Sequence, residues 1–384
     1  MHAFDDLPRP GGALSRRAWL ALAGGTAAFP GAVQALPPAA LAFPRDLGSH
    51  HDFHTEWWYA TGHARSGGRA FGFQVTFFRR RVAEADALAS RFAARQLLFA
   101  HAALTDLHGR RQLHDQRIAR WSGRPAAEAG SADTADASAA DTAVRMGDWS
   151  LVREPAAPGG GSGYRAKVAA EGFSLDLTLR ETQPLLLQGD RGLSRKGPEA
   201  AQASYYYSVP QLAVGGTVGL GRERFVLDAP TARDGAAWLD HEWSQALMHP
   251  EAVGWDWIGI NLFDGGALTA FHLRRADGST LWAGGSFRAA AAAARSFEPQ
   301  AVRFTAGRVW RSPRTAAAYP VEWTIDTPAG RFTLQALLDD QELDSRGSTG
   351  AVYWEGVSEL RDAAGATVGR GYLEMTGYVA QLRL

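Results

Sequence analysis

From Phe43 onward, apolar and polar residues alternate in short runs broken by glycine-containing turns. Successive strand side chains point to opposite faces, so a period of two is the signature of antiparallel strands, and helical periodicity is scarce. One hairpin is especially clear. Trp57 to Ala64 and Ala70 to Phe78 flank Arg65-Ser66-Gly67-Gly68-Arg69, where glycine supplies the positive φ of a tight turn. The same hairpin returns at a constant offset of 198, matching Trp57 with Trp255, Gly67-Gly68 with Gly265-Gly266, and Phe73 with Phe271. Further echoes keep the order: Gly172-Phe173-Ser174-Leu175 resembles Gly330 to Leu334, and Tyr206-Tyr207 resembles Tyr353-Trp354. Two copies of one β unit is the economical reading. A chain of 384 residues is long enough for two cores, so an all-β architecture of two tandem antiparallel barrels is expected. The first should span residues 36–217 and the second 218–384, with the junction in the glycine-rich segment from Val214 to Leu220.

Residues 1–35 stand apart. Ser15-Arg16-Arg17-Ala18-Trp19-Leu20 opens an apolar run through Ala28, and Val33-Gln34-Ala35 forms a small-residue exit. That order of features resembles a twin-arginine export leader and predicts a periplasmic or secreted protein. No later segment approaches the roughly 20 apolar residues of a membrane span. Forty basic and forty acidic residues cancel, which argues against a nucleic-acid partner. Without cysteine the chain has no disulfide, thiolate metal site or cysteine nucleophile. The polar stretches Pro125 to Thr142 and Ala156 to Gly163 are expected to be mobile loops, and Ala289 to Ala294 a short helix or surface loop.

Two clusters could carry chemistry. The first is His50-His51-Asp52-Phe53-His54-Thr55-Glu56-Trp57-Trp58-Tyr59. On a strand, His54, Glu56 and Trp58 share one face and Trp57 and Tyr59 the other. The imidazoles suit a first-row metal, but no metal-ligand spacing is present, and neither metal nor cofactor is expected. Glu56 among aromatics is either a carboxyl of raised pKa, able to donate a proton, or a carboxylate satisfied by arginine. The second is Trp238-Leu239-Asp240-His241-Glu242-Trp243, followed by Gly254-Trp255-Asp256-Trp257. Asp240 and Glu242 share a face and His241 and Trp243 the other, so only a distorted strand would aim Asp240 and His241 at one atom. There is no G-x-S-x-G elbow for a serine nucleophile and no phosphate-binding loop. Glu355 and Glu374, in strands rich in tyrosine and tryptophan, call for arginine partners, of which the chain has 38 against 2 lysines.

Together these residues resemble a known family. Glu56-Trp57-Trp58-Tyr59-x-Thr61-Gly62, His101-x-x-Leu104-Thr105-Asp106, Trp238-x-Asp240-His241-Glu242-Trp243, Gly254-Trp255-Asp256-Trp257, Tyr319-Pro320, Tyr353-Trp354-Glu355-Gly356 and Gly371-Tyr372-x-Glu374-x-Thr376-Gly377-Tyr378 are similar to the AttH-like proteins. Those belong with the carotenoid 1,2-hydratases in a lipocalin-like superfamily of two consecutive barrels. The resemblance implies two tandem lipocalin-like barrels and an apolar, isoprenoid or lipid-like small molecule as client. It further implies hydratase or hydrolase chemistry, in which an acid protonates carbon and aromatic faces shelter the cation. His241, Asp240 and Glu56 are the candidate catalytic residues, and Trp58, Glu242, Trp243, Trp255 and Trp257 the candidate substrate contacts. A non-catalytic carrier working with an ABC transporter uses the same tryptophans as contact area. A third reading confines the motif residues to holding the barrels together.

Overall fold

The computed structural model describes residues 35–38, 40–90, 93–124, 133–156, 161–246 and 248–382. The twin arginines and the Val33-Gln34 exit lie outside the described residues, as do 125–132 and 157–160. Among the described residues twenty-six strands follow one another. They are β1 (Thr55–Ser66), β2 (Arg69–Arg81), β3 (Gln96–Asp106), β4 (Arg111–Trp121), β5 (Ala135–Ala137), β6 (Ala143–Met146), β7 (Trp149–Glu154), β8 (Gly163–Ala169) and β9 (Phe173–Arg180). Then come β10 (Leu186–Leu187), β11 (Leu193–Arg195), β12 (Ala203–Leu220), β13 (Glu223–Val226), β14 (Ala236–Ala246), β15 (Gly254–Leu262), β16 (Ala267–Arg274), β17 (Thr280–Arg288) and β18 (Arg295–Ser296). The last are β19 (Arg303–Ala306), β20 (Val309–Arg311), β21 (Ala318–Pro320), β22 (Glu322–Thr327), β23 (Gly330–Ala336), β24 (Glu342–Ser345), β25 (Ala351–Arg361) and β26 (Thr367–Met375).

All but β20 and β21, which pair only with each other, form two barrel-like sheets of one design. The first runs β4-β3-β2-β1-β14-β12-β9-β8-β7-β6-β5 and the second β18-β17-β16-β15-β26-β25-β23-β22-β19. In each, three strands meander outward from a central strand, β1 or β15, whose other neighbour is the last strand of the unit, β14 or β26. The offset of 198 seen in the sequence is therefore the superposition of β1-β2 on β15-β16. The Tyr206 and Tyr353 echoes likewise fall on equivalent strands, β12 and β25. Position 217, the expected end of the first barrel, falls inside β12, and β14 is paired in the first sheet between β1 and β12. Passage to the second sheet comes only after Ala246, because the glycines of β12 serve pairing with β9 and β13 rather than a linker. The expected loop from Pro125 to Thr142 is also partly strand. Small side chains let β5 close against β6, with Ala135 and Ala137 buried on the inner wall, and Thr142 is buried beside it. Ala289 to Ala294 is an exposed loop.

Alternation decides where the cores sit. One face of the first sheet fills its interior with Trp58, Phe73, Phe77, Leu98 and Trp149; the second sheet does so with Ile258, Ile260, Trp323, Trp354 and Leu373. The opposite faces of β1, β14, β15 and β26 are buried too, because the barrels meet there over Tyr59, Trp238, Trp257, Phe271 and Tyr372. Gly259 is needed at this seam: a Cβ there would lie 2.3 Å from Cη2 of Trp257. Gly259→Ala should cost about 1–3 kcal/mol, in the range of an overpacked core, and shift tryptophan fluorescence as Trp257 is pushed aside. Thermal melting with the same midpoint and spectrum as the parent would show that the ring moves freely. Among the described residues no helix is long and apolar enough to cross a membrane.

Candidate functional site

β1 and β14 pair antiparallel with Glu56 opposite Trp243, Trp57 opposite Glu242, Trp58 opposite His241 and Tyr59 opposite Asp240. Both strands alternate, so one ladder carries two clusters back to back. Glu56, Trp58, His241 and Trp243 face the interior of the first barrel. Trp57, Tyr59, Asp240 and Glu242 face the seam between the barrels.

The inner cluster is built on Glu56. Its Oε1 accepts from His241 Nε2 and His50 Nδ1, each at 2.9 Å. Its Oε2 accepts from Ser49 Oγ at 2.6 Å and from Arg79 Nε at 2.8 Å. The backbone N–H of His50 also donates to the carboxylate. The remaining Arg79 donors reach the carbonyls of His50 and Phe53 and the side-chain oxygen of Gln96. Aromatic rings close the cluster: Trp243 stacks on His50 at 3.7 Å and Trp58 on His241 at 4.8 Å. Burial alone would push the Glu56 carboxyl up, but hydrogen bonds from His241 and His50 and the Arg79 charge outweigh it and hold Glu56 well below the usual carboxylate range. Of the two readings of Glu56, proton donor of raised pKa or carboxylate satisfied by arginine, these contacts fit the second. His50, Glu56 and His241 bring three ligand atoms within 4.8 Å of one another, a donor set that could hold a metal ion, though only by giving up these hydrogen bonds.

The outer cluster lines a cavity of about 100 Å³. The first barrel contributes Thr55, Trp57, Tyr59, Thr76, Phe78, Lys196, Tyr206, Asp240 and Glu242, and the second Trp255, Trp257, Phe271, Leu273, Glu355 and Glu374, with Met248 between. Asp240 accepts from Ser208 Oγ at 2.5 Å, Trp238 Nε1 at 2.6 Å and Tyr206 Oη at 2.7 Å. Lys196 Nζ lies 3.1 Å from Glu242 and sits over the rings of Tyr206 and Phe271 at 4.6 and 4.4 Å. Trp257 Nε1 donates to Tyr206 Oη at 3.3 Å, and Trp255 Nε1 to Glu374 at 3.1 Å.

Four carboxyl groups thus share one apolar cavity with a single ammonium, and such an arrangement cannot ionise in full. Burial pushes Asp240 up to about 7 against its three hydrogen-bond donors. Burial also pushes Glu374 up to about 7, with the Asp240, Glu242 and Asp256 charges adding to it. Glu355 is raised well above the usual range by burial and by the Glu374 charge. Glu242 is raised by burial and partly restored by Lys196. The cavity therefore retains exchangeable protons near neutral pH.

The structure brings Glu56, His241, Trp58 and Trp243 together in one place and Asp240, Glu242, Trp255 and Trp257 in another. Asp240 and His241 do not share a site, because β14 stays regular across them and alternation sends them to opposite faces. Lys196, Tyr206 and Tyr59 are not among the site residues expected from the sequence. Lys196 carried one usable signal, as one of only two lysines among 38 arginines.

The chain matches the model of the AttH-like family over residues 34–378. The chain belongs to the AttH-like family. A crystal structure from Nitrosomonas europaea assigned to AttH is 44% identical, with a TM-score of 0.79 over 90% of this chain and 99% of that one. The crystal structure of kievitone hydratase from Nectria haematococca is 16% identical, with a TM-score of 0.64 over 91% and 95% of the two chains, a likeness of fold. Among curated proteins none is similar enough to count as a match. Of the residues that carry the resemblance, Trp57, Asp240, Glu242, Trp255, Trp257, Glu355 and Glu374 line the cavity at the seam, while Glu56, Trp58, His241 and Trp243 lie in the inner cluster. His101 of the first barrel bonds Tyr353 of the second at 2.7 Å, tying the barrels beside it.

Proposed function

We propose that this AttH-like protein is an exported enzyme of the hydratase type, acting on a neutral, apolar, isoprenoid-like or lipid-like molecule held between its two barrels. The observation that supports this reading is the cavity itself, in which proton-bearing carboxyl groups stand among tryptophan and tyrosine faces. Hydration of an alkene needs an acid to protonate one carbon, a shelter for the cation on its neighbour, and water for the second bond. Asp240 is the acid, since a carboxyl poised near 7 is still half protonated at neutral pH and yields its proton readily. Trp57, Trp255 and Trp257 supply ring faces to the developing cation, with the remaining carboxylate charge around them. A substrate carboxylate would meet four acidic groups and be repelled, which favours a neutral client. Glu56 and His241 brace the wall that carries Asp240 and do not touch substrate.

Incubation of the exported chain with isoprenoid alkenes and alcohols and with lipid esters, in isotopically labelled water, tests the reading. Label should enter an alcohol product, and native mass spectrometry of protein from its own periplasm should show substrate and product together. A single unchanged apolar ligand with no label incorporated would instead make the chain a carrier, for which transfer to a transporter is the matching role.

A further inference from the structure

Glu355 on β25 and Glu374 on β26 are direct cross-strand partners. Opposed residues of an antiparallel pair share a face with Cβ atoms about 4.5–5.5 Å apart, a spacing at which like charges destabilise the sheet. The arginine partners expected from the sequence are not there. The only hydrogen bond to the Glu374 carboxyl among the described residues comes from Trp255, and Glu355 Oε1, though buried, has no hydrogen-bond partner of ordinary geometry, the nearby Tyr59 hydroxyl only partly offsetting the effect of burial. The hydroxyl groups of Tyr59 and Tyr372, also buried, have none of ordinary geometry either. Both carboxyl groups line the cavity from the second barrel, facing Asp240 across it.

We propose that Glu355 and Glu374 hold one proton between them and form the hydroxyl-proton acceptor of the site, opposite the Asp240 acid. The assignment rests on the hydratase reading and divides its labour between the barrels. In the forward step the Asp240 proton passes to one alkene carbon, and the π electrons form that C–H bond. A water oxygen then donates its lone pair to the cationic carbon, and its surplus proton goes to the carboxyl pair. Return of one proton from the pair to Asp240 through cavity water restores both groups, and dehydration runs the steps in reverse. Two carboxyl groups this close in an apolar cavity cannot both be charged, so one stays neutral while the other keeps a basic oxygen. The titratable groups that face the pair are Tyr59 of β1, Asp240 and Glu242 of β14, Asp256 of β15, Tyr353 of β25 and Tyr372 of β26. The Lys196 ammonium lines the same cavity but is paired with Glu242 at 3.1 Å rather than with the two glutamates.

NMR of the full chain with isotope-labelled glutamate, free of ligand, should show the two carboxyl carbons titrating together. Glu355→Gln should lower the pH at which Glu374 ionises by about one to three units, and Glu374→Gln should do the same for Glu355. Ionisation of both at ordinary glutamate pH, or indifference of each to loss of the other, overturns the pair. Calorimetry with geraniol, an apolar alcohol, and myrcene, its hydrocarbon counterpart, tests the acceptor role. Glu355→Gln should weaken geraniol about ten-fold and leave myrcene unchanged, the loss of a hydrogen bond to a charged group. Equal effects on both probes, no effect on geraniol, or no geraniol binding by the parent chain overturns that role. Absence of turnover with both results intact removes the hydratase reading and leaves the acceptor pair standing.

Discussion

Glu56→Ala should lower the free energy of unfolding by about 3–5 kcal/mol, the range for removing one partner of a buried ion pair. The loss is large because it is not confined to one contact. Arg79, fully buried, keeps its charge with no anion beside it, and Ser49, His50 and His241 lose the acceptor they share. Glu56→Gln preserves shape and one acceptor oxygen and should cost less. The same network sets a pH dependence. Glu56 has a folded pKa well below its unfolded value, so its contribution is present above about 4.5, the unfolded value, and is lost as pH falls toward the folded one. Urea denaturation at neutral and acid pH reads both effects, and the acid-side slope should flatten in Glu56→Gln. An unchanged midpoint for Glu56→Ala would mean that the cluster does not support the first barrel.

Asp240→Asn should act in the opposite direction on stability while removing function. As the proton donor, Asp240 is expected to contribute about 10²–10⁴-fold to the rate, and asparagine cannot give a proton to carbon. Its folded pKa is raised to about 7 from the ordinary value of 3.8, so the folded state binds the extra proton between those limits. Stability therefore falls as pH rises through that window, and above pH 7 the wild-type chain carries the full penalty of a buried anion among Glu242 and Glu374. The amide removes that penalty, so the substituted chain should melt higher than the parent above pH 7 and converge with it in acid. Tyr206, Ser208 and Trp238 must adjust to one fewer acceptor, which limits the gain. Retained turnover with the expected stability change would move the acid role away from Asp240. A parent melting curve that does not fall with pH would contradict the raised pKa itself.

Both outcomes turn on neighbours that are remote in sequence. Glu56 and Asp240 looked alike in the chain, each an acid beside tryptophan. Arg79 and the paired imidazoles hold one well below the usual carboxylate range, and burial at the seam between the barrels raises the other to about 7. Asp240 and His241 are adjacent in the chain, and joining them as an acid/base pair required a distorted strand; β14 stays regular across them and sends them to opposite faces. For Glu355 and Glu374 the abundance of arginine was misleading, since a frequent residue type says nothing about which copy reaches a given carboxyl.

The sequence by itself determined the β class, the duplication at an offset of 198, the family and the two-faced character of β1 and β14. These are properties of local period and of repeated pattern, and they survive whatever the chain packs against. Tertiary structure alone decided that both faces are buried, one inside a barrel and one between barrels. It also decided where the first sheet ends and which carboxyl group meets arginine. Burial and charge pairing depend on distances across strands far apart in the chain, and they, rather than residue type, set whether a carboxyl holds or releases its proton.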